Sequence, residues 1–218
     1  VLATMGGALG PVRARAGDAG TWQPLSGPTQ SGAGLAFDEA RHRLLIWGGD
    51  GTDLVRVLPL NGFPYSWTTL ATAGATPPRR HDHVAVYDPN GDRLLVYGGR
   101  DDQTNEALND VWQLTLGGTP TWSELSRGGD FPELRPEGGA AFDPVTNRLY
   151  VFGGRDYYDN LTAPDLYALD VAGNPPTWNL VWSGEDGPSA RCGSPLALDP
   201  DGRRLVLFGG NDGGDDLA

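Results

Sequence analysis

Lysine is absent from the 218-residue chain, and all 16 of its basic residues are arginine. Isoleucine occurs once, as Ile46, and cysteine once, as Cys192. A lone cysteine excludes an internal disulfide, and with it a small scaffold held together by disulfide staples. Arginine without lysine is the composition that GC-rich bacterial genomes produce. Exported proteins of bacteria often lack cysteine, so an extracytoplasmic or secreted location is expected, with the cytoplasm as the alternative. Basic charge is scarce as well: 28 acidic residues leave a formal net charge of −12 and a pI near 4.5. That charge opposes nucleic-acid phosphates and anionic membrane surfaces. No apolar run approaches the roughly 20 residues that span a bilayer, so no membrane insertion is expected. Val1 to Gly10 is small and apolar, and reads either as the tail of a signal peptide or as a strand.

What the chain does contain is glycine and proline, 33 and 18 residues, which end regular structure after a few positions. Long helices are therefore not expected. Disorder is not expected either, because 39% hydrophobic residues, seven Trp and only 20% charged residues supply enough apolar surface for a core. The composition predicts a folded, all-β chain.

Self-similarity organises it. Gly-Gly pairs stand at Gly48 and Gly49, Gly98 and Gly99, Gly153 and Gly154, and Gly209 and Gly210. Ten positions before the first Gly of each pair come Asp38, Asp88, Asp143 and Asp199, and five before it Arg43, Arg93, Arg148 and Arg204. The repeat is 50, 55 and then 56 residues long, the length of a four-stranded propeller blade. Each unit reads as four short strands. An inner strand ends at the recurring Asp, and a tight turn follows. In Asp88-Pro89-Asn90-Gly91-Asp92 the Asp can accept from its own backbone two residues on, and Asn90 and Gly91 are expected at positive φ. A continuous apolar strand, such as Leu94 to Tyr97, then runs into the Gly pair. The third strand opens with Asp110-Val111-Trp112 or Asp165-Leu166-Tyr167, with Val55 at the aromatic position of the first full repeat. The fourth opens with Trp67, Trp122 or Trp178, and Trp22 with Leu25 is the same unit earlier in the chain. The eight glycines read as structural, since no helix follows to make a phosphate-binding loop.

A Gly pair after an apolar strand, an aromatic at Trp112 or Tyr167 and a later Trp resemble the kelch repeat, whose units form β-propeller blades. The resemblance covers nearly the whole chain and includes Arg80, Arg135 and Arg191 ahead of the inner strands, with Gln30 departing from it. It implies an all-β propeller of four-stranded antiparallel blades, about four of them here, three complete and two partial. The divisions are a partial blade at 1–31, blades at 32–80, 81–135 and 136–191, and a partial blade at 192–218. Since kelch rings usually close with about six or seven blades, an open arc is expected. The remaining blades would come from the same full-length protein or from another chain.

His81-Asp82-His83 would set two imidazoles on one side of a strand, as a metal site requires, but the sequence offers no third ligand nearby and His83 reads as the start of an inner strand. The recurring aspartates read as turn formers, because no Glu follows Asp92 at calcium-loop spacing. Asp18-Ala19-Gly20-Thr21-Trp22 falls one residue short of an Asp box. Cys192 reads as a buried thiol. The copper radical oxidases on related propellers need a Cys, two Tyr and two His, which finds no motif support here. No catalytic residue, metal or cofactor is assigned. The expected function is a non-catalytic, exported module binding a protein or carbohydrate. The alternative is part of a propeller hydrolase or oxidase acting on sugars, with its catalytic groups outside this segment. The loops between strands two and three, Arg100 to Asn109 and Arg155 to Pro164, are the candidate binding surface. Arg100, Asp101, Asp102, Arg155, Asp156, Tyr157 and Tyr158 are its candidate residues. The kelch resemblance adds Arg80, Arg135 and Arg191, with bracing of neighbouring loops as the alternative for these three and a solvated surface of Arg and Asp pairs as the alternative for the loops.

Overall fold

The computed structural model describes residues 27–156, 158, 160–201 and 203–214. The readings placed on Val1 to Gly10, Asp18 to Trp22, Leu25 and Tyr157 lie outside these residues. The first blade is a four-stranded antiparallel sheet of β1 (Gly34–Asp38), β2 (Arg43–Trp47), β3 (Val55–Pro59) and β4 (Thr68–Leu70). Two short strands follow, β5 (Ala73–Gly74) and β6 (Arg80–His81). The second blade is built from β7 (Val84–Asp88), β8 (Arg93–Tyr97), β10 (Val111–Thr115) and β11 (Thr121–Glu124), with β9 (Arg100–Asp101) in the loop between β8 and β10. The third comprises β12 (Gly128–Gly129), β13 (Gly139–Asp143), β14 (Arg148–Phe152), β15 (Leu166–Asp170) and β16 (Thr177–Trp182), and the last has β17 (Leu196–Asp199) and β18 (Arg204–Leu207). The connecting segments cross over: β5 pairs in parallel with β11, and β12 with β16, each at the outer edge of the next blade. Among the described residues no helix is long and apolar enough to cross a membrane.

The turn chemistry holds in part. Asp88 Oδ1 accepts from the Asn90 and Gly91 N–H groups at 3.0 Å each. Positive φ falls elsewhere, at the fourth position after the Asp in every blade: His42, Asp92, Asn147 and Arg203, between 45° and 54°. With the carboxylate holding their N–H groups, Asn90 and Gly91 do not take positive φ, and the reversal falls on the last residue of the turn. All eight paired glycines have positive φ. At Gly153 a Cβ would also run into the Arg191 carbonyl of the following blade, so the position needs glycine twice over.

Blades stack in series through their inner strands, β1 on β7, β7 on β13 and β13 on β17, and no comparable packing joins β1 to β17 among the described residues. The layer between the first two blades is Leu45, Trp47, Val55 and Val57 against Leu94, Val96, Leu114 and Trp122. Between the second and third it is Leu95, Tyr97 and Val111 against Leu149, Val151, Leu169 and Trp178. Each fourth-strand Trp stacks on the aromatic ending β2 or β8 of the preceding blade, Trp122 on Trp47 at 5.1 Å and Trp178 on Tyr97 at 5.0 Å between ring centroids. Trp67, at the same position of the first blade, is half-buried.

The cross-strand register corrects one assignment. Ile46 pairs with Arg56 as Val96 pairs with Trp112 and Val151 with Tyr167, so the residue at the aromatic position of the first blade is Arg56 and not Val55. Its loop between strands two and three is shorter than the others, which hides the equivalence in sequence.

Candidate functional site

The face carrying the long loops is built on a repeated brace. Arg80 donates Nη1 to the Gly98 carbonyl at 3.0 Å, Arg135 to Gly153 at 3.3 Å and Arg191 to Gly209 at 3.1 Å. Gln30, which departs from the arginine pattern, does the same with its amide, Nε2 reaching the Gly48 carbonyl at 2.8 Å. Two of the three charged braces, Arg80 and Arg135, carry a counter-ion from the start of the third strand. Arg80 makes a two-pronged pair with Asp110, one contact at 2.8 Å, and Arg135 lies 2.7 Å from Asp165 and 5.1 Å above the Tyr167 ring. Leu54 occupies the corresponding place in the first blade, where the neutral Gln30 needs no carboxylate. Burial raises the Asp110 pKa, but the Arg80 guanidinium and the Trp112 indole outweigh it and hold the carboxyl below its usual range.

These contacts agree with the bracing alternative for the three arginines ahead of the inner strands. Arg80 and Arg135 are buried, which makes them braces beneath the loops and not a ligand surface. Arg191 is part-buried and spends its guanidinium on Gly209 and Ser189. Arg100 is also buried, and its Nη2 reaches the Asp156 carbonyl, tying one long loop to the next at 3.2 Å. Asp101 and Asp156 stand at one register and hold their own loops: Asp101 Oδ1 accepts from Gln103 and Thr104, and Asp156 Oδ1 from Tyr158 and Asn160. The loops are themselves small hairpins, closed by the Arg100–Ala107 and Arg155–Leu161 bridges. β9 also pairs with β6 at the entrance to its own blade.

What faces outward is a group the candidate list mostly missed. Two residues after each brace stand Gly32, Asp82, Glu137 and Gly193, all at positive φ. Their backbones form a chain from blade to blade: Asp82 N–H donates to the Gly32 carbonyl, Glu137 N–H to Asp82 and Gly193 N–H to Glu137, each at 2.8 Å. The two non-glycine members project carboxylates among the loops. Glu137 lies 3.3 Å from Arg155, and Asp82 3.7 Å from His81 Nε2, whose Nδ1 is 2.6 Å from Asp102. Burial raises the Asp82 pKa, with nearby Glu137 and Asp102 adding to it. Tyr158 stands at the rim, 78% exposed. The sequence sign for this group is that one register holds only glycine or an acid, Gly32, Asp82, Glu137 and Gly193, legible once the repeats are aligned.

Asp82 breaks the His-Asp-His strand. Its positive φ separates the two imidazoles, and His83 turns inward, where it is buried and accepts from the Gly34 N–H through Nε2 at 3.2 Å. No group of three or more metal-ligating side chains comes together among the described residues. Cys192 is buried, and burial with the neighbouring Glu137 pushes its thiol pKa up. The opposite, hairpin face is occupied by bonds between turns. Arg41 grips Asp92 at 2.6 and 2.7 Å, Asn90 reaches Asn147 at 2.7 Å, and Arg203 reaches Asp143 at 3.0 Å.

Comparison with known proteins agrees with this architecture. The model of the KLHDC2/KLHL20/DRC7 Kelch-repeats domain matches residues 32–217. An adagio-like protein 2 of Oryza sativa subsp. japonica is 31% identical over 205 residues, 88% of this chain and 30% of that protein. Dynein regulatory complex subunit 7 of Chlamydomonas reinhardtii is 31% identical over 125 residues, 56% of this chain and 10% of that one. An N-(sulfonatooxy)prop-2-enimidothioate sulfolyase of Thlaspi arvense is 31% identical over 140 residues, 63% of this chain and 37% of that enzyme. The chain thus spans well under half the length of each of these relatives. The solved structure of YjhT superposes with a TM-score of 0.67 at 15% identity, over 84% of this chain and 59% of that one, a likeness of fold alone. A family match over residues 32–217, on blades whose glycine pairs, braces and stacked tryptophans repeat in register, places the chain in the kelch-repeat family of β-propellers.

Proposed function

We propose that the chain is part of a non-catalytic recognition propeller that binds a protein partner across the long-loop face. The observation that carries this reading is the contrast between the two faces. The hairpin turns are tied to one another across the blade joints, whereas the long-loop face rests on buried braces and carries Asp82, Glu137 and Arg155, held in ion pairs, beside an exposed Tyr158. A carbohydrate ligand and an exported bacterial location belong to the same proposal. Their support is the lysine-free, nearly cysteine-free and acidic composition and the mixed polar and aromatic rim.

The test is photo-crosslinking from single positions. A photoreactive residue at Tyr158 should capture the partner, and one at Val145, on a hairpin turn, should not; capture from position 145 alone would overturn the face assignment. The second reading, a propeller enzyme with its catalytic groups outside this segment, is favoured by the one relative above that bears an enzyme's name. Turnover by the complete gene product that survives loss of Tyr158 and Arg155 would favour it.

A further inference from the structure

The connection from β11 to the third blade, residues 125–138, runs beside the Arg100 to Asn109 loop and carries an aromatic absent from the candidate list. Phe131 is 46% exposed. Two contacts fix its place. Asn109, at the end of the long loop, donates Nδ2 to the Pro132 carbonyl at 3.0 Å and accepts from the buried Tyr97 hydroxyl at 2.7 Å. Arg127, near the start of the same connection, lays its guanidinium over the Phe131 ring, 5.3 Å from the centroid. The ring thus holds one cation of the chain itself and leaves nearly half of its surface to solvent.

The charge around the ring is negative. Asp130 and Glu133 flank it, both exposed, and among the described residues neither carboxylate makes a hydrogen bond or an ion pair. Arg127 lies 3.9 Å from Glu124, so the patch stays acidic with its own guanidinium counted. The rest of the long-loop face agrees. Its arginines are committed, Arg155 to Glu137, Arg79 to Asp53 and Arg100 to the Asp156 carbonyl, whereas the Glu106, Glu185 and Asp186 carboxylates are exposed without partners. On the hairpin face, exposed Glu39 and Asp201 are balanced by exposed Arg203 and Arg204.

We propose that Phe131 with Asp130 and Glu133 is the subsite of the long-loop face that takes an arginine side chain of the protein partner. The guanidinium stacks on the open part of the ring and pairs with the two carboxylates. The proposal rests on the reading of that face as the binding surface. Charge complementarity selects the occupant, since an acidic partner would meet the same carboxylates as like charge. The Arg127 stack shows the ring already taking a planar guanidinium.

The test uses the complete gene product and a pair of probes, a short Gly/Ser peptide carrying arginines and its citrulline counterpart, which keeps the shape and loses the charge. Fluorescence anisotropy should show the arginine peptide bound and the citrulline peptide not. Phe131→Leu keeps the apolar bulk, removes the π face and should weaken binding about threefold. Asp130→Asn with Glu133→Gln should weaken it at least as much. Glu39→Gln with Asp201→Asn removes the same charge from the hairpin face and should leave binding unchanged. Equal loss in that hairpin-face pair would reduce the effect to net charge and overturn the proposal, as would equal binding of the citrulline peptide or unchanged binding in either subsite variant. Failure of the subsite and failure of the face are separable. A partner crosslinked from Tyr158 whose affinity Phe131→Leu leaves untouched removes the subsite and keeps the face, whereas capture from position 145 alone removes the face.

Discussion

His83 lies between the first two blades, its ring 5.0 Å from Trp47. Burial, and after it the charge of Arg80, pull its pKa down to about 3. The unfolded chain binds this proton near pH 6.5 and the folded chain does not. Its contribution to stability is therefore fully present above about pH 6.5 and is lost as pH falls towards 3, by up to about 1.4 kcal/mol per pH unit. Between pH 7 and 5 this group alone should cost about 2 kcal/mol. His83→Gln keeps an acceptor for Gly34 and should remove that part of the slope, which urea melts at the two pH values would register; identical slopes would contradict the assignment. The brace offers a second test. Asp110→Leu leaves the buried Arg80 guanidinium without its counter-ion and should cost about 3–5 kcal/mol. Adding Arg80→Gln recreates the Gln30 and Leu54 arrangement of the first blade and should recover about half of that loss. A double variant as unstable as the sum of its two single changes would deny the coupling.

At the scale of the element, the turn entering each inner strand has one backbone path and two kinds of residue on it. Gly32 and Gly193 take positive φ without strain, and Asp82 and Glu137 take it at φ of 55° and 61°. A side chain in that region costs about 1–2 kcal/mol, so the carboxylates are held against the local preference of the chain. Replacing Asp82 or Glu137 by Gly or by Ala removes the same charge, and the glycine variant should be about 1 kcal/mol more stable than the alanine one. Chemical denaturation of the four variants decides it. Alanine equal to or better than glycine would mean that the turn relaxes. If these carboxylates serve recognition, the glycine variants keep the fold and lose partner affinity, a separation that a purely structural role would not give.

The whole molecule is held by blade-to-blade layers, and its stability should respond to them above all. Trp122 and Trp178 are wholly buried, each stacked on an aromatic of the preceding blade. Trp122→Ala should cost about 3–5 kcal/mol, because it empties a site that the surrounding sheets are too rigid to fill. Thermal melts followed by far-UV and near-UV circular dichroism should fall together. A near-UV signal lost well before the sheets melt would show that the blades fold independently, as quasi-one-dimensional repeats allow. The hairpin face adds charged ties across the same joints. The Arg41 hydrogen bonds hold the Asp92 carboxyl below its usual range, so their help is present above about pH 4 and lost as pH falls below it.

The sequence alone determined most of what depends on neighbours along the chain, the φ values of Asn90 and Gly91 excepted. Glycine pairs, aspartate turns and apolar runs act within a few residues, so the four-strand unit, its repeat and the resemblance to kelch blades could all be read from fixed offsets. Tertiary structure decided whatever depends on groups about 50 residues apart. Gln30 was set aside as a departure because an amide does not look like a guanidinium, yet it meets the same carbonyl. Arg56 was missed because a shorter loop shifts the count by one while strand pairing does not. Side-chain type gives no burial, so the sequence leaves Arg80 and Arg135 open between ligand contact and bracing and puts Arg100 on the ligand surface, and it is the stacking of blades that encloses all three. Asp82 and Glu137 converge for the same reason. Their proximity is set by blade packing around the axis, which no local run of residues encodes.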